Sequence, residues 1–399
     1  MNSQTKNCQN CKKEFIIAPE DFDFYAKIQV PAPSFCPDCR LQRRMAFRNE
    51  RTLYKRDCDL CKKSIVSVYN KDKEFPVYCS PCWWGDKWDA TEYGRDYDFE
   101  KPFFEQFKEL IAIVPRIALS VDNPKKCINS EFIHYASYMK NCFMLIVAEK
   151  NENCMYSSFI YYSKDSADCY KVLKVENSYE LFNTQDCYKT YYSTDCNNCI
   201  DVYFSKDLNN CSDCFGCVGL RHKKYYIFNK PYLKEEYFKE IEKFNLGSFK
   251  CVKEIIKKVR RFWEKFPNKY YHGRKNNNVL GDYIYNSKNV FHSFDVMKGE
   301  NSKYCNLITL TYNCYDYTDW GNNATLVYEA QNCGENINSI KFSNSSYIGY
   351  NLNYCDWVYN SNNMFGCTSL KNKQYCILNK QYTKEEYEEL ALKIIEHMG

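Results

Sequence analysis

A chain of 399 residues, 45% hydrophobic and 26% charged, is long enough for two or three cores and has the make-up of a folded soluble protein. Its longest apolar-rich run, "LIAIVPRIALSV" at 110–121, is too short and too interrupted by Pro115 and Arg116 to span a bilayer, and the polar start "MNSQTKNCQN" has no signal-peptide core. With 25 cysteines, an odd number, a complete disulfide framework is disfavoured, so the expected setting is the reducing cytoplasm, away from membranes.

The net charge of +5 is unevenly placed. Residues 40–56 carry seven Lys/Arg and one acid, a net of +6. Residues 221–275 carry seventeen Lys/Arg and six acids, a net of +11. The rest therefore sums to 5 − 6 − 11 = −12. Basic segments on an acidic body predict a polyanionic partner.

In chain order, the first eight cysteines form four Cys-x-x-Cys pairs: Cys8/Cys11, Cys36/Cys39, Cys58/Cys61 and Cys79/Cys82. Two such knuckles complete a tetrahedral thiolate site, so the pattern predicts two structural zinc ions. Sequential pairing is favoured over an interleaved one. A closed four-cysteine site has no open position for catalysis; it replaces a core that a short segment cannot build. The segment "KKSIVSVYNKDKEFPVY" between the last two pairs alternates like a hairpin turning at Asn70 to Lys73.

The stretch "CQNCKKEF…FDFYAKIQVPAPSFCPDCR" at 8–40 resembles the bacterial probable zinc-ribbon domain family. The whole chain resembles cysteine- and tyrosine-rich zinc-ribbon proteins of ultra-small uncultivated bacteria, through "CPDCRLQRRMAFRNERTLY", "CWWGDKWDA…YGRDYDFEKPFFEQF" and "FGCVGLRHKKYYIFNK". Some of those carry a CoA-transferase label, which no motif of this chain supports. The resemblance implies metal-held ribbons at the N-terminus and no particular activity.

Between the middle pairs, Arg40, Arg44, Arg48, Arg51 and Lys55 would share one face if the segment were helical, with Arg43 and Arg56 beside them. Arginine forks suit phosphate, and the shortage of acids argues against a merely solvated helix face. This stretch is a candidate nucleic-acid contact. Trp83, Trp84 and Trp88 read as a small apolar seam under the second ribbon. "DFEKPFFEQFKELIAIV", with Pro102 in its first turn, is expected to cap the array that follows.

Beyond residue 120 the cysteines Cys127, Cys142, Cys154, Cys169, Cys187, Cys199 and Cys211 recur at intervals of 15, 12, 15, 18, 12 and 12. Short β-branched and aromatic runs lie between them, as expected for stacked coils of a β-solenoid with buried cysteines. "FGCVGLRHKKYYIFNKPYLKEEY" at 215–237 matches "FGCTSLKNKQYCILNKQYTKEEY" at 365–387 in 14 of 23 positions, an offset of 150. The duplication predicts two solenoid units, each closed by a helix starting near Lys234 and Thr383. Thr383 and Glu386 fit a capping box. The cluster Cys196, Cys199, Cys211, Cys214 and Cys217 is a weaker candidate for a third metal site, because only the last keeps its thiol at the 150-residue offset, as Cys367.

Between the halves, Val252, Ile255, Ile256, Val259, Phe262 and Trp263 fit one helical face, and Lys253, Lys257, Lys258, Arg260, Arg261 and Lys265 fill the rest. Lys257, Lys258, Arg260 and Arg261 form the second candidate nucleic-acid surface. The five histidines show no metal spacing, and no phosphate-binding glycine loop or nucleophile elbow occurs.

The expected fold is mainly β: tandem zinc ribbons (1–90), a helical cap or linker (91–126), a first β-solenoid-like unit (127–230), a basic helical connector (231–275), a second unit (276–382) and a C-terminal capping helix (383–399). The expected function is a non-enzymatic, zinc-dependent nucleic-acid-binding protein, RNA favoured, on a rigid scaffold. A protein-interaction scaffold with an acidic partner and a carbohydrate-active β-helix enzyme are the alternatives.

Overall fold

The computed structural model describes residues 2–49, 51–122 and 124–398. Its N-terminal part repeats one plan twice. Strands β1 (Gln4–Asn7) and β2 (Glu14–Ile17) pair as an antiparallel hairpin. Helix α1 (Pro19–Ile28) follows, its start closed by the Asp21 carboxylate accepting from the Ala18 N–H at 3.0 Å. Helix α2 (Pro37–Met45) begins at the second cysteine knuckle. The second ribbon has β3 (Tyr54–Asp57), β4 (Ser64–Ser67), β5 (Val77–Tyr78) and α3 (Ser80–Trp84). Here β4 pairs back onto β3, and β5 pairs with β6 (Arg116–Ile117). The expected hairpin within 62–78 is therefore replaced by a turn at Asn70–Lys73 joining strands of two different sheets.

The remainder is two nine-stranded stacks, from His134 to Pro231 and from Gly273 to Gln381, parallel except for an antiparallel last pair in each. In the first, residues pair with partners twelve positions on, as in Tyr170 with Phe182 and Tyr188 with Ile200. Positive φ recurs at every third residue, for example Asn141 (52°), Met144 (51°), Val147 (55°) and Lys150 (53°). Twelve residues per coil and a bend every three give four three-residue sides. The residue after each bend points inward: Cys142, Leu145, Ala148 and Asn151 fill one coil, and Cys154, Ser157, Ile160 and Ser163 the next. Only four side chains share each layer, so Cys, Ser, Thr, Ala and Val dominate. The cysteine intervals of 15, 12 and 18 are all multiples of three, and each marks an inward position.

Two ladders stabilise this backbone. Asparagine tolerates the left-handed region, and at one corner Asn129 donates to Asn141 (3.0 Å), Asn141 to Asn153 (3.1 Å) and Asn153 to Asp165 (2.7 Å). Inside, serines serve the backbone of the next coil. Ser163 Oγ donates to the Tyr161 carbonyl (2.9 Å) and accepts from the Val175 N–H (3.2 Å). Each buried N–H so satisfied avoids a penalty of about 1–3 kcal/mol. The second solenoid departs from strict period three near Gly281, at Asp319/Trp320 and at Glu335/Asn336, and across the last two the pairing offset becomes thirteen, as in Ala324 with Ile337.

The stacks lie side by side in opposite directions. Tyr135, early in the first, stacks on Trp357, late in the second (5.9 Å, 2°). The Tyr283 hydroxyl, early in the second, donates to Asp195, late in the first (3.2 Å). Helices α5 (Lys234–Glu242) and α6 (Phe249–Trp263) close the first stack, with Tyr237, Val252, Ile255 and Val259 packed on Phe204, Phe215 and Ile227. Helix α7 (Lys384–His397) closes the second, and its Thr383–Glu386 capping box is formed. Helix α4 (Phe103–Ile113) does not cap the first stack as expected. Its Phe103 ring packs on Phe365 (5.2 Å) of the second, over Gly366, whose positive φ and missing Cβ admit the ring. Pro102 stands at its N-cap.

Candidate metal centres and basic surfaces

In the first ribbon a tight turn after β1 carries Cys8 and Cys11, closed by the Cys8 N–H on the Lys13 carbonyl (2.9 Å), with Lys12 at positive φ. Cys36 and Cys39 stand at the start of α2. The second ribbon repeats this with Cys58, Cys61 and Lys62, and with Cys79 and Cys82 at the start of α3. In each group the four sulfurs lie within 4.8 Å of one another. The grouping is sequential, Cys8/Cys11/Cys36/Cys39 and Cys58/Cys61/Cys79/Cys82. Cys11 and Cys36 sulfurs are 3.7 Å apart, and those of Cys61 and Cys79 3.9 Å. A tetrahedron with metal–sulfur bonds of about 2.3 Å has an edge of about 3.8 Å.

Backbone N–H groups favour the thiolate at one sulfur of each group, Cys8 and Cys61, while burial raises the Cys36, Cys79 and Cys82 thiols. The Cys36 N–H donates to Cys8 Sγ (3.3 Å) and the Cys79 N–H to Cys58 Sγ (3.2 Å). Burial raises the Cys8 pKa, but N–H groups of Cys36, Cys11 and Asn10 outweigh it and bring the thiol down to about 6. Cys61 falls to about 7, chiefly through the Lys63 N–H. The cluster Cys196, Cys199, Cys211, Cys214 and Cys217 is different. These are inward positions of successive coils, and each sulfur donates to the carbonyl two residues before it. Among the described residues they form no group that could hold an ion.

The arginine connector is not a helical stripe offered to solvent. Helix α2 ends at Met45, and Lys55 belongs to β3. Arg40 and Arg44 are buried, at 1% and 4% exposure, and share one carboxylate of the second solenoid. Arg40 Nε meets Asp316 Oδ2 at 2.9 Å, and Arg44 Nη1 meets Asp316 Oδ1 at 3.1 Å. Arg40 also donates to the Phe35 carbonyl (2.7 Å) and Arg44 to Thr318 Oγ1 (3.2 Å). Burial works against the Arg40 charge, yet Asp316, together with Tyr328, Tyr25 and Glu329, outweighs it and holds its pKa above the usual arginine value. Arg43 pairs with Glu329 and Arg48 with Asp319. Arg56 pairs with its neighbour Asp59 (3.0 Å). Of this expected surface only Arg51 and Lys55 stand exposed without an ion pair among the described residues. The acids that neutralise Arg40, Arg43, Arg44 and Arg48 lie more than 270 residues away in sequence, so the shortage of acids near these arginines does not leave them free.

The ribbons are thus clamped to the second solenoid along their length. Phe24 stacks on Tyr315 (4.0 Å, 9°), and Lys303 pairs with Asp21 (2.8 Å). Trp83 and Trp84 pack edge-on against Tyr359, with Lys371 over Trp83 at 4.7 Å. The tryptophan seam lies at this contact as well as under the ribbon.

The second basic segment is placed differently. On α6 the apolar face is buried, while Lys253, Lys257, Lys258, Arg260 and Arg261 are exposed. Together with Lys250 and Lys265 they make seven cations against two acids over 249–265, and among the described residues none of the seven has an ion pair. Lys258 lies over the Phe228 ring (4.9 Å).

Two clefts open on the surface. One, of about 610 Å³, lies between the second ribbon and the start of the first solenoid, lined by Ile65, Cys79, Val121, Glu131 and Phe132 among others. The other, of about 410 Å³, lies where the end of the arginine connector meets both solenoids at Arg51, Phe159, Tyr170 and Leu307. Neither carries two facing carboxylates. No helix among the described residues is long and apolar enough to cross a membrane.

No family model and no curated protein matches the chain. One similar solved structure is named "putative acetyltransferase from Desulfovibrio desulfuricans G20". It is 10% identical over 59% of this chain and 65% of that one, so this chain spans just under two thirds of its length, with a TM-score of 0.14. So loose a superposition carries no argument about fold or activity.

Proposed function

We propose that this protein is a non-enzymatic, zinc-stabilised scaffold that binds nucleic acid through the exposed face of α6. The observation that carries the reading is the concentration of six cations on α6, with Lys265 just beyond it, none of them in an ion pair among the described residues, on a helix whose apolar face is fixed to the end of a rigid stack. Held cations bind a phosphate backbone by releasing its counterions, independent of base sequence. Zinc suits two closed tetracysteine groups whose sulfur spacing fits bonds of about 2.3 Å. Its role is to hold each ribbon together, beside the apolar clusters the ribbons share with the second solenoid. Four arginines of the connector, Arg40, Arg43, Arg44 and Arg48, are taken up by Asp316, Asp319 and Glu329, so their role here is to clamp the ribbons to the scaffold. The test is anisotropy titration of labelled nucleic acid at several salt concentrations. The affinity of the wild-type protein falls with a log–log slope of about −0.7 to −0.9 per phosphate contacted. The triple variant Lys257→Glu/Lys258→Glu/Arg261→Glu abolishes binding, and an unchanged affinity would refute the proposal.

A further inference from the structure

We infer that the nucleic acid taken by this surface is single-stranded, with unpaired bases stacking on an aromatic corner at the end of α6. This rests on the reading of α6 as the phosphate-binding face and adds what touches the bases. The chain leaves α6 through "EKFPNKYYHGRK" at 264–275. Tyr270 is 95% exposed, the most exposed of the large hydrophobic side chains among the described residues, and Tyr271 is 42% exposed. Their rings are 6.2 Å apart and nearly perpendicular (83°), so they turn different faces outward.

The corner is anchored, so these rings are not on a loose tether. Phe266 packs against Phe262 of α6 (5.0 Å). Lys269 pairs with Asp207 of the first solenoid (2.6 Å), and Lys206 donates to Asn268 (3.1 Å). On the far side His272 stacks on Tyr283 (4.4 Å, 2°), and its N–H is held by Asp282. Gly273 leaves space that the Tyr271 ring fills, since a Cβ there would lie 2.5 Å from it. Two tyrosines are therefore displayed from a backbone fixed on both sides.

Cations surround them in sequence: Arg260, Arg261 and Lys265 before, Arg274 and Lys275 after, all exposed. At the other end of α6, Phe249 is 73% exposed with Lys253 over its ring at 4.5 Å. Exposed aromatic faces among cations form the pattern that recognises single strands, because every base has a face to stack while a duplex keeps its faces covered. A polyanion without bases would use the cations and leave the tyrosines idle.

The experiment titrates three fluorescent probes against the full-length protein: a fifteen-nucleotide oligouridine, a duplex RNA of equal phosphate number, and heparin. Tyr270→Ala is expected to weaken oligouridine binding about tenfold and to leave duplex and heparin within twofold. Tyr270→Trp should restore it. An equal loss on all three probes, or no loss on oligouridine, overturns the inference. Those results leave the α6 reading standing, which fails separately if the triple glutamate variant binds every probe as wild type does.

Discussion

Replacing Asp316 with alanine is the sharpest perturbation of this architecture. Asp316 is fully buried and, among the described residues, is the one carboxylate paired with both Arg40 and Arg44. Its removal leaves two guanidinium groups with one neutral acceptor each, the Phe35 carbonyl and Thr318 Oγ1. Each charged hydrogen bond contributes about 1.5–3 kcal/mol, and breaking a buried pair from one side costs about 3–5 kcal/mol. The expected loss is therefore about 3–5 kcal/mol, concentrated on the docking of the first ribbon. Stacked repeats do not unfold as one unit, so the informative readout is local. Amide exchange across α2 should speed up by about two to four orders of magnitude while inward positions such as Val175 and Val202 keep their protection. Arg51→Ala is the control. Its side chain is exposed and has no ion pair among the described residues, so the change should cost less than about 0.5 kcal/mol. The triple change Arg40→Met/Arg44→Met/Asp316→Leu should recover most of the loss, because a buried ion cluster gains little over a well-packed apolar one. A shift under about 1 kcal/mol for Asp316→Ala, with α2 exchange unchanged, would refute the clamp.

Chelation should release two zinc ions per chain and raise proteolytic cleavage around 8–11 and 58–61, while the solenoid β signal persists; a metal content of zero in freshly purified protein would contradict it. Ser163→Ala should lower stability by about 1–3 kcal/mol in urea melts, by orphaning the Val175 N–H, whereas exposed Lys174→Ala should change it by less than 0.5 kcal/mol, in keeping with about that limit for ordinary surface changes. His134 accepts the Ser120 N–H at 2.8 Å, and burial, helped by Arg48, pushes its pKa down to about 3. Above pH 6.5 the ring is neutral in both folded and unfolded chains, so its contribution is intact. As pH falls from about 6.5 towards 3 the unfolded chain takes the proton first, and stability drops by on the order of 1 kcal/mol per pH unit. His134→Gln should flatten that slope; an identical slope would remove His134 as its source.

Much of this was legible along the chain. Four Cys-x-x-Cys pairs carry their spacing locally, so both metal groups could be read from order alone. The 150-residue duplication announced two units and two closing helices, and α6 showed its apolar face as a 3.6-residue pattern. The three-residue repeat was also present, in cysteine intervals all divisible by three, but a left-handed bend at every third residue suits neither of the usual strand and helix periods. Tertiary structure alone decided the fate of the charges. Arg40, Arg44 and Arg48 sit in a basic run and α6 sits in another, and by composition the two are alike. The difference is that folding gives the first ion pairs with Asp316, Asp319 and Glu329, while among the described residues the cations of α6 have none. Pairing energy depends on distance and burial in three dimensions, and a carboxylate some 270 positions downstream leaves no mark beside the arginine it neutralises.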